Sequence, residues 1–530
     1  MLFTSYEFLG FLFLFFLLYF IIPKKGQWIF LLCASCLFYA FSGVKYLIYI
    51  GCTTLSTYLV SRRIEEIGEE QKAFIQQKKG TLSREEKKAY KASIKKKQWN
   101  WLLFCLIFNF SILAVCKYAN FAISNINSIL RLTKSDVVVP FFSVALPLGI
   151  SYYTFQMMGY VIDIYRGKYL AEKNLGKLAL FASFFPQLMQ GPISRFDDLS
   201  ETLFSGHSFD IKRVSFGLQR ILWGFFKKLV IADRILPAVN TIIRNPDTYQ
   251  GIYVLLGMLF YALELYADFT GGIDMVIGIA EVLGIRVKEN FERPYFSKSI
   301  KEYWNRWHIS LGSWFTEYIF YPVSVCQPML KLSKFSRSHF GEAVGKRIPV
   351  YLATILVWIT TGIWHGAAWN FVVWGLMNCI VLLISQELQP CYRWFHKKFQ
   401  LEGKWGFRLF QVVRTVLLMS SIRMFDCYRD VPTTFRMFFN MLTYYNWKEI
   451  GVQEMLGLGI TAADYGILVI GTVLLITVSL MGRSGSVREK IAGKPAAVRF
   501  FIWYGLFLAV LLFGAYGEGY DASQFIYNQF

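Results

Sequence analysis

Charge is scarce in this chain. Asp, Glu, Lys and Arg make up 17% of the 530 residues, against 55% hydrophobic and 18% aromatic. So little polar surface cannot cover the three or four soluble domains that the length would otherwise suggest. The same figures exclude a disordered chain, a collagen, a coiled coil and a disulfide-rich secreted scaffold. Histidine is rarer still, with five residues, and acids are outnumbered by bases, 35 to 56. The nine cysteines are an odd number, most of them in apolar runs. Cys33 and Cys36 form a CxxC inside LLCASCLFYA, which predicts two buried small residues on a helix rather than a redox pair or zinc site. There is no GxSxG elbow, HExxH, P-loop or cysteine–histidine cluster at metal spacing. Gly457, Gly459 and Ala462 imitate a dinucleotide fingerprint without its βαβ context and read as a loop. No internal repeat or low-complexity tract is present.

What the sequence does have is long uncharged runs. They cover 8–23, 26–44, 46–61, 98–116, 137–162, 348–386, 465–482 and 500–517. Most approach the roughly 20 residues a helix needs to cross a bilayer. Segments around 176–194, 214–243, 250–283 and 409–426 are apolar but carry some charge, as interior-facing, re-entrant or interfacial helices would. The expectation is an all-α, polytopic protein of the cell membrane with roughly ten to twelve crossings and a mean hydropathy of +0.40. Residues 1–530 read as one integral-membrane domain.

The net charge of +21 fits this setting. Bases collect in cytoplasmic loops and beside anionic lipid, so nucleic acid is not the expected partner. Basic loops also attract phosphate-bearing donors such as nucleotides or coenzyme A. The first apolar run has no basic residue before it, while Lys24 and Lys25 follow it. That predicts no cleaved signal peptide and an N-terminus outside the cytoplasm. Three crossings then place 61–98, with 12 Lys/Arg and 6 acids, inside as a solvated, partly helical hairpin. Residues 389–408 and 482–499 are basic and also inside, which leaves the C-terminus outside.

Among the histidines, His207, His339 and His396 read as loop or solvated residues. His365 sits in the 348–386 run within TTGIWHGAAWNF, and His308 in SIKEYWNRWHISLGSWF. An ionisable residue at membrane depth is a functional candidate, the bland alternative being an interhelical hydrogen bond. Gly362, Gly366, Ala367 and Ala368 would let a backbone or acyl chain approach His365. Thr360, Thr361 and Asn370 could fix its tautomer. Read as one helix, 300–323 puts Trp304, His308, Leu311 and Phe315 on one face and Glu302, Arg306, Ser313 and Glu317 on another. Glu264, Asp268 and Asp274 could form a cation or proton path. Alternatively they bond to backbone breaks near Gly271 and Gly272.

Several stretches, in order, resemble the membrane-bound O-acyltransferase (MBOAT) family, in its alginate O-acetylase (AlgI-like) branch. They are LPLGISYYTFQMMGYVIDIYRGK (146–168), FASFFPQLMQGPISRFDDL (181–199), the run 265–322 that ends in KEYWNRWHISLGSWFTEYIFYP, GIWHGAAWNFVVWG (362–375) and the terminal SQFIYNQF. The resemblance implies a motif core at about 140–390 with further helices at about 400–520, arranged around a funnel or tunnel. It implies that His308 and His365 are the family's paired histidines, the second being catalytic. Trp304, Asn305, Arg306, Ser310, Trp364, Asn370, Gln187 and Asp268 are then candidates for the substrate or donor channel.

The resemblance further implies acyl transfer from an intracellular thioester, acetyl-CoA or another, to a hydroxyl of an extracytoplasmic polysaccharide. No bound cofactor or metal is implied. A secreted or membrane-anchored SGNH-type acetyltransferase would be a partner in polysaccharide modification. The related D-alanyl transfer proteins of teichoic acid synthesis share the RWHIS-type motif but are shorter, which favours acetylation. A lipid or solute transporter is the competing class, although transporters often show a duplicated half and this chain has none. A buried imidazole stays neutral and can act as a base at pH 7.

The topology has a direct check. A single reporter cysteine at Gly80 should react with an impermeant maleimide only once the cytoplasmic face is opened. Deletion of the hairpin tip should leave acyl transfer intact. Labelling of intact cells would overturn the orientation.

Overall fold

The computed structural model describes residues 3–143, 146–401 and 403–516. The chain is helical, and among the described residues the β structure is an isolated antiparallel bridge between Phe291 and Trp307. The terminal SQFIYNQF lies outside the described residues. The helices gather into two compact units, Met1–Val214 with Ala280–Lys288, and Ser215–Ile279 with Glu289–Phe530.

The first unit contains α1 (Tyr6–Tyr19), α2 (Gln27–Ala40), α3 (Leu47–Gln77), α4 (Arg84–Leu132) and α5 (Ile150–Arg166). Phe11 and Phe15 of α1 set their rings edge-on to Phe185 at 5.4 and 5.3 Å. Between α3 and α4 the Asn109 amide donates to the Ser56 hydroxyl at 3.1 Å, a polar bond of the kind that joins helices in lipid. Both helices continue past their apolar parts as the charged hairpin of 61–98. Its second arm starts with a reciprocal capping box of Ser83 and Glu86.

Two expectations fail here. Cys33 is exposed and Cys36 half-buried, so α2 turns its thiols outward rather than into a core. The 137–162 run does not form one helix. Helix α5 starts only at Ile150, after Pro140 and Pro147. Gly149 takes φ +67° there, and a Cβ on it would stand 2.4 Å from the Leu188 carbonyl oxygen.

The second unit contains α6 (Ile211–Phe225) from Ser215 onward, α7 (Ile252–Leu283) as far as Ile279, α8 (Ile300–Arg306), α9 (Ile309–Phe315), α10 (Glu342–His365), α11 (Trp369–Glu387), α12 (Trp405–Tyr428), α13 (Ala462–Met481), α14 (Val487–Ala492) and α15 (Ala496–Phe513). After α6 the chain widens into a π-helical segment, Phe226–Ala232. That segment aims Lys227 and Lys228 at α7. Lys228 bonds Asp268 at 2.6 Å and Asp233 at 2.7 Å, and Lys227 bonds Asp274 at 2.6 Å. Arg220 joins Asp274 at 2.9 Å. Asp268 and Asp274 of α7 therefore meet cations rather than backbone breaks, whereas Glu264 is buried with its Oε2 lacking a hydrogen bond, and α7 runs unbroken through Gly271 and Gly272. The glycines serve close packing. A Cβ on Gly224 would lie 2.6 Å from the Gly271 carbonyl oxygen.

Two long stretches read as continuous are broken. The 348–386 run is α10 and α11, hinged at Gly366. Residues 300–323 are α8 and α9 separated at Trp307–His308, followed by a π-helical turn over Thr316–Phe320. Six helices are long and apolar enough to cross a membrane among the described residues: α4, α7, α10, α11, α13 and α15. Helices α2 and α3 form a pair bent by 119°, which makes seven if counted as one span. The chain is a multi-pass membrane protein.

Removing one partner from a buried ion cluster leaves the others uncompensated, at a cost of about 3–5 kcal/mol. Lys228→Met should therefore lower the thermal midpoint of the detergent-purified protein sharply. Adding Asp233→Asn and Asp268→Asn to it should recover most of the loss.

Candidate active site

His308 stands at the break between α8 and α9. Ser299 starts α8 by accepting from the Glu302 backbone N–H, and the Glu302 carboxylate accepts from that of Lys298. After two turns Trp307 becomes extended, and His308 adopts the left-handed region at φ 48°, ψ 53°. A β-carbon makes that conformation costly, so it persists only where the surroundings impose it. Asn290 and its neighbours do so. The Asn290 carbonyl accepts from the Ile309 N–H at 3.0 Å, and its side-chain oxygen accepts from the Ser310 N–H at 2.9 Å. The Arg306 carbonyl accepts from the Glu292 N–H at 2.9 Å, beside the Phe291–Trp307 bridge.

This scaffold also sets the histidine's tautomer. With the Asn290 side-chain oxygen committed to Ser310, its amide nitrogen faces His308 Nδ1 at 3.3 Å. An amide nitrogen only donates, so Nδ1 accepts and the proton of the neutral ring sits on Nε2. His308 lies outside every candidate span. Burial, and then the Arg423 charge, push its pKa down, so the ring is neutral at pH 7.

His365 is the last residue of α10. Gly366 is extended there, and its N–H returns to the Gly362 carbonyl at 3.3 Å. Of the two groups the sequence reading allowed at Gly362 and Gly366, a backbone or an acyl chain, it is the chain's own Phe371 that approaches. A Cβ on Gly366 would fall 2.1 Å from the Phe371 ring, and one on Gly362 would fall 2.4 Å from the Phe371 carbonyl oxygen. They let α11 fold back against α10. The Thr360 and Thr361 hydroxyls bond the carbonyls of Leu356 and Val357, and the Asn370 amide donates to the Phe425 carbonyl at 3.0 Å.

The two imidazoles share one aromatic neighbour. Trp364 lies edge-on to His308 at 5.8 Å and to His365 at 5.2 Å. Phe269 of α7 flanks His308 at 5.1 Å, and Trp374 of α11 flanks His365 at 4.7 Å. Trp304 packs on Trp358 at 4.8 Å and on Trp374 at 5.7 Å. Behind these rings is a residue that sequence reasoning missed. Arg423 of α12 is buried, pairs with Asp426 at 3.0 Å, and places its guanidinium 4.5 Å from the Trp307 ring centre. It also reaches Trp374 at 5.6 Å and Trp304 at 5.9 Å. The available signal was an arginine inside the apolar 409–426 stretch.

The structure thus brings together His308, His365, Trp304, Trp364, Ser310 and Asn370. Asn305 is exposed on α8, and Arg306 pairs with Glu302 at 2.7 Å on that short helix. Asp268 is committed to Lys228, one residue before Phe269. Gln187 belongs to the first unit, where its amide donates to the Ser194 hydroxyl at 2.7 Å. Of the other histidines, His339 is exposed, while His207 and His396 are half-buried.

A neutral His308 and a buried His365 set among aromatic rings suit proton transfer and carbonyl polarisation. The sequence profile of MBOAT, the membrane-bound O-acyltransferase family, matches residues 173–425, a span that holds His308, His365 and Arg423. The chain belongs to that family and is an acyltransferase. A protein of Azotobacter vinelandii named "Probable alginate O-acetylase AlgI" is 33% identical over 392 residues, covering 73% of this chain and 69% of that one. The "Peptidoglycan O-acetyltransferase" of Helicobacter pylori is 29% identical, covering 69% and 66%. The "Teichoic acid D-alanyltransferase" of Bacillus subtilis is 30% identical, covering 49% and 61%.

A misplacement of about 1 Å can cost about 100-fold in rate. Gly366→Val, which must displace Phe371, should lower acyl transfer by about that factor without removing the protein from the membrane. Phe371→Ala in the same chain should restore part of it, as read in an acyl-transfer assay at matched abundance.

Proposed function

We propose that this chain moves acetyl groups from an intracellular thioester, acetyl-CoA or another acyl thioester, for O-acetylation of an extracellular or cell-wall polysaccharide. The observation that carries the reading is that His308 and His365 both stand in T-shaped contact with the Trp364 ring, at 5.8 and 5.2 Å. In it, His365 is the catalytic base. It takes the acceptor hydroxyl's proton as that oxygen attacks the thioester carbonyl. The C–S bond then breaks, and the imidazolium returns the proton to the departing thiolate. The proton on His308 Nε2 is available to the carbonyl oxygen as negative charge builds there, an oxyanion role that needs a donor rather than a base. No metal or bound cofactor enters this scheme.

Acetylation is favoured over D-alanyl transfer by extent. The acetylase relative is matched over 73% of this chain and the D-alanyltransferase relative over 49%. The reading includes a tunnel or two opposed clefts that meet at the histidines, with Trp304, Trp364 and Asn370 along them. It also includes an SGNH-type acetyltransferase partner on the outer face and both termini outside the cytoplasm. The shorter and more charged helices join the six long ones to make ten to twelve crossings.

The test separates a base from a structural hydrogen bond. Loss of a general base costs about 10²–10⁴ in rate. His365→Gln should lose polysaccharide acetylation by that factor at equal membrane abundance. His308→Ala should lose activity less completely, because it removes a donor rather than the base. Near-normal acetylation by His365→Gln would make that histidine structural.

A further inference from the structure

Two short helices adjoin the end of the α10–α11 hairpin opposite His365. Gln327–Phe340 leads into α10, and Gln389–Phe399 follows α11. The Arg347–Glu387 ion pair, at 2.6 Å, ties the start of α10 to the end of α11, so both short helices leave from the same end. The Ser333 hydroxyl donates to the Gly345 carbonyl at 2.7 Å and docks the first of them on α10. The acyl-transfer scheme makes no use of either. Their depth follows from the chain. Helices α10 and α11 are long and apolar enough to cross a membrane. Pro390 cannot continue the hydrogen-bond ladder of α11, so a new helix begins where the span ends. With 14 and 11 residues the two helices are too short to cross again, since a crossing takes roughly 20. Both therefore lie at the membrane surface.

Gln389–Phe399 is two-faced and buries no residue in the protein. Trp394, Phe395 and Phe399 are exposed, and so are Arg393, Lys397 and Lys398. Phe395 and Phe399 stand one turn apart on one side, Arg393 and Lys397 one turn apart on the other. The Lys398 ammonium lies over the Trp394 ring at 4.7 Å, a contact that leaves its charge in place. Gln327–Phe340 adds Lys331 and Lys334, both exposed. Neither helix contains an acid. Among the described residues no carboxylate reaches Arg393, Lys397 or Lys398, and Glu387 is committed to Arg347. Unpaired bases beside an aromatic face that the protein leaves uncovered match an in-plane helix on an anionic leaflet.

We propose that these two helices form a basic collar that lies in the membrane interface and recognises anionic phospholipid headgroups, with Trp394, Phe395 and Phe399 set among the upper acyl chains. An acidic soluble protein is the competing occupant. It would pair with the bases but leave the aromatic face uncovered at the level where the span ends.

The test uses the full-length protein in nanodiscs, with phosphatidylglycerol and phosphatidylcholine that carry the same diazirine-tagged chain. Phosphatidylglycerol should label peptides containing 391–399 at least about fivefold more than phosphatidylcholine at equal mole fraction, since a single base near an anionic surface contributes about that factor. High salt should shrink the excess. Arg393→Gln, Lys397→Gln and Lys398→Gln together should bring phosphatidylglycerol down to the phosphatidylcholine level. The thermal midpoint should not move, because all three side chains are exposed. Lys331→Gln with Lys334→Gln should lower the excess in part. Trp394→Ser with Phe395→Ser should weaken labelling by both lipids. Equal labelling of wild type by the two lipids would overturn headgroup recognition, and an excess that survives the triple variant would overturn its assignment to these bases. Peptides that take no label from either lipid would place the helix in water or under a protein and overturn the membrane seat.

Discussion

The second unit depends on one buried cation. Arg423 sits among Trp304, Trp307 and Trp374, with Asp426 as its counter-ion. A guanidinium is planar, weakly hydrated and permanently charged, so it can stack on rings in a place where an ammonium would demand water. Those rings come from α8, from the break after it and from α11, while Arg423 comes from α12. One side chain therefore holds together the break that carries His308 and the helix α11, whose Trp374 flanks His365. Its charge also opposes protonation of His308. Burial of this pair is costly by itself, and what it returns is a defined arrangement of the aromatic pocket.

Around that centre the structure uses backbone conformation to aim functional groups. His308 is held left-handed by Asn290, and His365 ends a helix at a glycine hinge. Neither histidine lies mid-helix, where its ring would be only one face of a stripe. Each is placed where a helix stops, and the two stops meet at Trp364. The Lys228–Asp268–Asp233 cluster acts at another level. It anchors α7, the helix that delivers Phe269 to His308, against the π-helical segment beside it.

Much of this was legible in the residues and some was not. Long uncharged runs announced a helical membrane protein because lipid leaves a backbone few other options. His308 and His365 stood out as rare ionisable groups in apolar surroundings. The break at Trp307 did not, because its cause, Asn290, lies in a preceding segment whose role depends on tertiary contact. Gly362 and Gly366 were correctly marked as sites of close approach, but the group that approaches is Phe371 of the same chain. Pro140 and Pro147 could have divided the 137–162 run, since a proline cannot continue a helix hydrogen-bond ladder. Arg423 carried the right signal, a charge at depth, with no motif to show which rings it would meet.

The central claim is that acyl groups pass between the two histidines from one side of the membrane to the other. Sealed inside-out vesicles from cells producing the chain and its polysaccharide test it most directly. A labelled acetyl thioester that cannot cross the bilayer is added outside, at the cytoplasmic face. The account predicts that label accumulates on polysaccharide in the sealed lumen, and that vesicles lacking the chain show none. Label that reaches lumenal polysaccharide only after the vesicles are permeabilised, when the donor itself can enter, would contradict it.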